Sequence, residues 1–178
     1  MTSPSFVLPP VVVMGVSGSG KTTIGLALAA ALAVDFVDGD DLHTEANRQK
    51  MAAGIPLTDD DRAPWLASVG RVLGSAPGAG PVVACSALRV VYRDALRQAA
   101  PDAAFLHLAG GADLLRARMV HREHHFMPAA LLESQLGTLE PLTPSENGVV
   151  LDTSGGIDEV VMQAIAWLRG SRPGAESV

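Results

Sequence analysis

The run Gly15-Val16-Ser17-Gly18-Ser19-Gly20-Lys21-Thr22 follows the apolar residues Val11 to Met14 and has the form GxxxxGK[ST]. That pattern is a phosphate cradle when it joins a strand to a helix. Gly15, Gly18 and Gly20 let successive backbone N–H groups, with those of Ser17 and Ser19 among them, turn inward around an anion. The helix that follows aims its positive end at the same point. Lys21 supplies a mobile cation for the outer phosphates, and the Thr22 hydroxyl is a ligand for Mg2+, with Thr23 beside it at the helix start. A Gly-rich turn with no ligand is the alternative; four fixed positions in the right context argue against it.

A second constellation, Asp38-Gly39-Asp40-Asp41-Leu42-His43, follows the second apolar run. Three carboxylates so close together call for a reason, and a metal with a substrate hydroxyl is a good one. With Asp38 and Asp40 two apart, one can face Mg2+ while the other reaches an acceptor hydroxyl as general base. The plain alternative is a solvated acidic turn. Phosphoryl transfer needs positioning and charge stabilisation above all, so the remaining cations are candidates to hold an acceptor or clamp a γ-phosphate. They are Arg48, Lys50, Arg62, Arg89, and the pair Arg118 and Arg122, which share a helix face. The stretch His121-Arg122-Glu123-His124-His125 lacks the HExxH spacing and has no cysteine nearby, which argues against structural zinc. Cys85 reads as a buried strand-end thiol, and Leu131, Leu132, Leu136 and Leu139 as core.

Short apolar runs near 11–16, 35–37, 81–84, 105–108 and 149–151 predict five strands, with helical patterns between them near 45–53, 60–73, 89–99, 113–122, 128–139 and 158–168. Ile24, Leu28, Ala31 and Leu32 predict the core stripe of the first helix. Thr58 with Asp61 predicts a capping box. The alternation implies an α/β, three-layer fold: a five-stranded parallel sheet flanked by helices, with ligands at the carboxyl ends of the strands. One domain over 11–170 is expected, with flexible segments at 1–10 and 171–178 and a flexible connection at 75–81. At 178 residues, 48% hydrophobic, 18% charged and net charge −6, the chain is expected to bind neither nucleic acid nor membrane. A single cysteine and no leader-like segment point to the cytoplasm.

These residues together resemble the small P-loop gluconokinases, relatives of shikimate and adenylate kinases. The resemblance is carried by GVSGSGKTTIG at 15–25, DGDDLH at 38–43, Asn47 with Lys50-Met51, and the run from Gly54 to Leu66. Beyond these come CSAL at 85–88 with Tyr92-Arg93-Asp94 and Leu96-Arg97, then His125-Phe126-Met127-Pro128 and Ser134-Gln135. It implies ATP- and Mg2+-dependent phosphorylation of D-gluconate at its 6-hydroxyl, within sugar-acid catabolism feeding the pentose phosphate pathway. It also implies an acceptor-binding segment at about 41–66 and a lid at about 116–128 that excludes water when closed. Lys21, Asp40, Arg118 and Arg122 then look catalytic, with Thr22 and Asp38 on the metal side. Asp40, His43, Arg48, Arg62, Ser86, Arg89 and His125 look like the sugar-acid pocket. Glu140 to Pro144 resemble the part that borders adenine, and a homodimer is expected by similarity alone. Family members commonly have a glycine just before the His-Phe pair; this chain has His124, which bears on lid closure and not on the chemistry. The rival acceptors are shikimate, disfavoured because no glycine run follows the third strand, and a nucleotide, disfavoured by the acidic acceptor segment. A nucleotide-gated NTPase is the rival from another class.

Overall fold

The computed structural model describes residues 8–75, 79–120 and 129–170. Five parallel strands, β1 (Val11–Met14), β2 (Phe36–Asp38), β3 (Val82–Ala84), β4 (Ala104–Ala109) and β5 (Gly148–Asp152), lie in the order β2-β3-β1-β4-β5. Central β1 pairs Val12 with Val83 on one side and with Phe105 on the other. All four of its residues are fully buried, as a parallel strand covered on both faces requires.

The period-two alternation of β1 divides the interior into two cores. Val11 and Val13 face one with Ile24, Leu28, Leu106, Val160 and Leu168. Val12 and Met14 face the other with Trp65, Val69, Leu73, Leu96 and Phe105. Helices α1 (Lys21–Leu32) and α7 (Ile157–Gly170) therefore cover one side, and α3 (Asp59–Gly74) and α4 (Val90–Ala99) the other. Helices α2 (Glu45–Ala52), α5 (Ala112–Val120) and α6 (Ala129–Thr138) complete the order. Leu132 joins Val16, Leu88 and Leu115 in a third cluster under the phosphate loop, with Leu136 and Leu139 packed against it.

Two expectations are revised. On α1 the core face is Ile24, Gly25, Leu28 and Ala29, and Ala31 is exposed; a Cβ on Gly25 would stand 2.5 Å from the Phe36 ring. Residues 8–10, expected in a flexible lead-in, are packed: Leu8 is buried and its carbonyl accepts from Gly80 N, while Pro10 O accepts from Ala104 N. The remainder of the two expected tails lies outside the described residues.

Candidate active site

Four strand ends, those of β1, β2, β3 and β5, supply the site. After β1 the backbone turns through Gly15 (φ 144°), Gly18 (φ 79°) and Gly20 (φ 94°). A Cβ at Gly15 or Gly18 would stand 2.8 Å from a carbonyl oxygen, that of Leu108 or of Leu115, so close approach as well as φ requires glycine. Gly20 is the N-cap of α1 and no side chain caps the helix. Its first N–H groups are thereby left to an anion, at the positive end of the helix. The Ser19 hydroxyl is buried without a hydrogen-bond partner at the same turn. Lys21 Nζ donates to Val16 O at 3.0 Å, which curls the side chain back over the loop. From α6, Gln135 Oε1 accepts from Ser17 N at 2.6 Å.

The acid turn after β2 is built around Asp38, not merely decorated with charge. Asp38 caps a single 3₁₀ turn over Gly39–Leu42, its Oδ1 accepting from Asp40 N at 3.1 Å. Its other oxygen, Oδ2, accepts from Thr22 Oγ1 at 3.0 Å, which ties the acids to the phosphate loop. Asp40 opens to solvent on one side, yet loss of hydration raises its pKa above the ordinary 3.8, and Asp38 adds to the rise against the opposing pull of Lys21 and His43. That is the environment of a carboxylate suited to accept a proton. His43 is buried and stacks on the Trp65 ring, centroids 4.4 Å apart. Burial pushes its pKa down, favouring the neutral imidazole, although Asp40 pulls the other way.

Trp65 and Asn47 hold this turn from below. Trp65 Nε1 donates to Gly39 O at 2.7 Å. Asn47 Nδ2 donates to Asp61 O at 2.8 Å and lies 3.4 Å from His43 Nδ1. The capping box is present, with Thr58 and Asp61 exchanging bonds at the start of α3. Lys50, expected to serve an acceptor, is instead taken up by Asp61 at 2.7 Å. Hydrogen bonds from Lys50 and from Thr58 hold the Asp61 carboxyl down at about 2.

The expected acceptor arginines separate into two groups. Arg62 and Arg89 flank the Tyr92 ring, with guanidinium carbons 5.6 and 5.4 Å from its centroid. Arg48 is mostly exposed and donates to Asp41 O at 2.6 Å, outside that group. The carbonyl of Ser86 accepts from Gly15 N at 3.3 Å, placing the β3 end against the phosphate loop. The adjoining Cys85 is buried, which pushes its thiol up to about 12 and leaves it inert as a nucleophile.

On the other side of the phosphate loop lies an open cleft of about 260 Å³, lined by Gly18, Gly20, Thr23, Arg118, Thr153 and Ile157 among others. Arg118 is fixed there by bonds to Thr153 Oγ1 at 3.1 Å and Thr153 O at 2.6 Å. The segment Glu140 to Pro144, expected to border adenine, does not line this cleft. The carbonyls of Glu140 and Pro141 accept from fully buried Arg93, and Glu140 Oε2 accepts from Val90 N at 2.5 Å, so the segment caps α4. The turn after β5 supplies Thr153 and Gly155 to the cleft instead. Its position at the end of an apolar strand, followed by Ser154-Gly155-Gly156, was the available signal. Arg122 and His125 lie outside the described residues, as do 121–128 of the expected lid.

A family model described as shikimate kinase matches residues 17–168. The gluconokinase of Gluconobacter oxydans (strain 621H) is 48% identical to this chain over 146 residues, 81% of each. The thermosensitive gluconokinase of Escherichia coli (strain K12) is 42% identical over 178 residues, 97% of this chain and 92% of its own. In three dimensions the chain is similar to a gluconokinase from Sinorhizobium meliloti 1021, with a TM-score of 0.85 at 47% identity, covering 92% of this chain and 93% of that one.

Proposed function

Because this chain belongs to the gluconokinase family of P-loop kinases, we propose that it transfers the γ-phosphoryl group of ATP to the 6-hydroxyl of D-gluconate, giving 6-phospho-D-gluconate and ADP. The observation that carries the reading is the Thr22–Asp38–Asp40 chain of hydrogen bonds, which sets a carboxylate of raised pKa beside the phosphate loop.

In the transfer, Asp40 takes the proton of the acceptor hydroxyl as its oxygen bonds to the γ-phosphorus, and the bond from that phosphorus to the β,γ-bridging oxygen breaks. Loop N–H groups and Lys21 bear the charge left on the phosphates. The Thr22 hydroxyl and the Asp38 carboxylate offer two hard oxygens 3.0 Å apart. That pair suits Mg2+, which takes one or two protein oxygens and completes its shell with water and phosphate. Bound there, the ion would neutralise charge on the β- and γ-phosphates. Arg118 lines the nucleotide side, and His43, Arg62 and Arg89 the acceptor side. Among the described residues no helix is long and apolar enough to cross a membrane; it is the proposed use of ATP that leads us to place the reaction in the cytoplasm.

A coupled ATP-consumption assay with gluconate, shikimate and AMP as acceptors tests the assignment. Turnover that depends on gluconate is expected. A preference for either other acceptor, or ATP hydrolysis that no acceptor accelerates, would overturn it.

A further inference from the structure

Arg62 and Arg89 come from different elements, the first turn of α3 and the N-cap of α4, and two guanidiniums at close quarters repel each other. What brings them together is Tyr92. Its buried ring lies against both cations, a favourable contact through the negative face of the aromatic system. Its hydroxyl donates to Asp59 Oδ1 at 2.6 Å. The other oxygen of Asp59 accepts from Arg89 at 2.8 Å, and Oδ1 lies 3.7 Å from Arg62. Arg62 also donates to Leu57 O at 2.6 Å, so one carboxylate, one phenol and one backbone carbonyl fasten the two guanidiniums, leaving further N–H donors on each. Glu140 stands 3.8 Å from Arg89 Nε, and its Oε2 is engaged by Val90 N.

The cluster adjoins the acid turn: Asn47 Nδ2 lies 3.4 Å from His43 Nδ1 and donates at 2.8 Å to the carbonyl of Asp61, the residue before Arg62. Arg62, like Arg48, is close enough to His43 to oppose its protonation, and His43 in turn acts on Asp40. A chain-like acid with its hydroxyl at Asp40 would therefore carry its carboxylate toward the two arginines, where planar forks match carboxylate geometry.

We propose that Tyr92 and Asp59 are positioning residues that hold Arg62 and Arg89 as one carboxylate clamp and so make the enzyme select an acidic over a neutral acceptor. The proposal rests on the functional reading above. Neither residue touches the reacting atoms; both act through the arginines. Asp59 is exposed and sits in the first turn of α3, where a carboxylate also suits the helix end, so its role in the clamp adds to an ordinary structural one.

The test is steady-state kinetics of Tyr92→Phe and Asp59→Asn with gluconate and with D-glucitol, which has the same carbon chain but no carboxylate. Tyr92→Phe keeps the ring and the core packing and removes only what the phenol oxygen makes, its bond to Asp59 and its contact with Arg89. Each variant is expected to raise KM for gluconate about fivefold to tenfold, as the loss of one charge-assisted hydrogen bond does, with kcat within about twofold. KM for ATP should not move, and the ratio of kcat/KM for gluconate over D-glucitol should fall by the same factor. Asp59→Glu should recover part of the loss. Unchanged KM and unchanged selectivity in both variants would overturn the clamp. Failure of the wild type to use gluconate would overturn the functional reading instead; the same variants assayed on the carboxylate acceptor it does use would then decide the clamp.

Discussion

At the scale of single residues, Lys21 and Asp40 carry the clearest expectations. Lys21→Ala should lower kcat by about a thousandfold or more, since a preorganised cation at developing phosphate charge is lost. Asp40→Asn keeps size and polarity but cannot take the proton, and should cost about a hundredfold to ten-thousandfold in kcat with ATP affinity retained by calorimetry. The raised pKa adds a pH signature. As the proposed base, Asp40 must be ionised, so kcat/KM should fall as pH drops through a value displaced above 3.8, and Asp40→Asn should abolish that limb. The sign for stability runs opposite: the native state binds this proton more readily than the unfolded chain, so ionised Asp40 costs stability at neutral pH. Asp40→Asn should therefore raise Tm in a thermal melt while it destroys turnover. The placement of both residues beside the phosphate loop was legible because each belongs to a motif only a few residues long. Trp65, within the run from Gly54 to Leu66, is not singled out by its pattern, since its contribution is an indole bond to the carbonyl of Gly39, 26 residues away. Spacing along the chain carries no trace of such a contact.

At the scale of elements, the strands were legible throughout, because short apolar runs ending in glycine or acid turns have few other readings. The bracing between them was not. Arg93 on α4 is fully buried, bonds Glu146 at 2.6 and 3.0 Å, and donates to the carbonyls of Ala87 and Leu88. It thereby joins α4, the loop after β3 and the segment before β5. Ala87 takes φ 43°, a left-handed conformation that costs an alanine free energy unless its surroundings impose it. A lone arginine in an amphipathic helix gives no sign of such burial, since most arginines are solvated. Arg93→Met should lower unfolding free energy by about 3 kcal/mol in a urea titration, because it strips a buried carboxylate and four carbonyls of a partner. Gly39 makes a matching case at the β2 end: a Cβ there would meet Ala84 O at 2.5 Å. Gly39→Ala should displace the acid turn and reduce kcat with little change in KM for ATP, measured in the same coupled assay.

For the molecule as a whole, acid sensitivity concentrates in few groups. Burial alone would raise Glu146, but hydrogen bonds from Arg93, Thr143 N and Arg97 outweigh it and bring its pKa from 4.5 to about 2. A depressed carboxylate pKa contributes stability that is complete above the unfolded value and is lost as pH falls through the folded one. Equilibrium unfolding should therefore show stability declining from about pH 4.5 toward pH 2, and Glu146→Gln should flatten that decline. The strand order has a different consequence, one of ancestry. With β1 at the centre, the groups we assign to the acceptor hang from β2 and β3 on one side, and the cleft we assign to the nucleotide draws on α5 and the turn after β5 on the other. On that assignment, mutations on the acceptor side should retune what is phosphorylated without disturbing the cleft on the other side. A single scaffold can thus diversify one half at a time, which agrees with a chain matched by a shikimate kinase model along most of its length while its nearer relatives act on another acid.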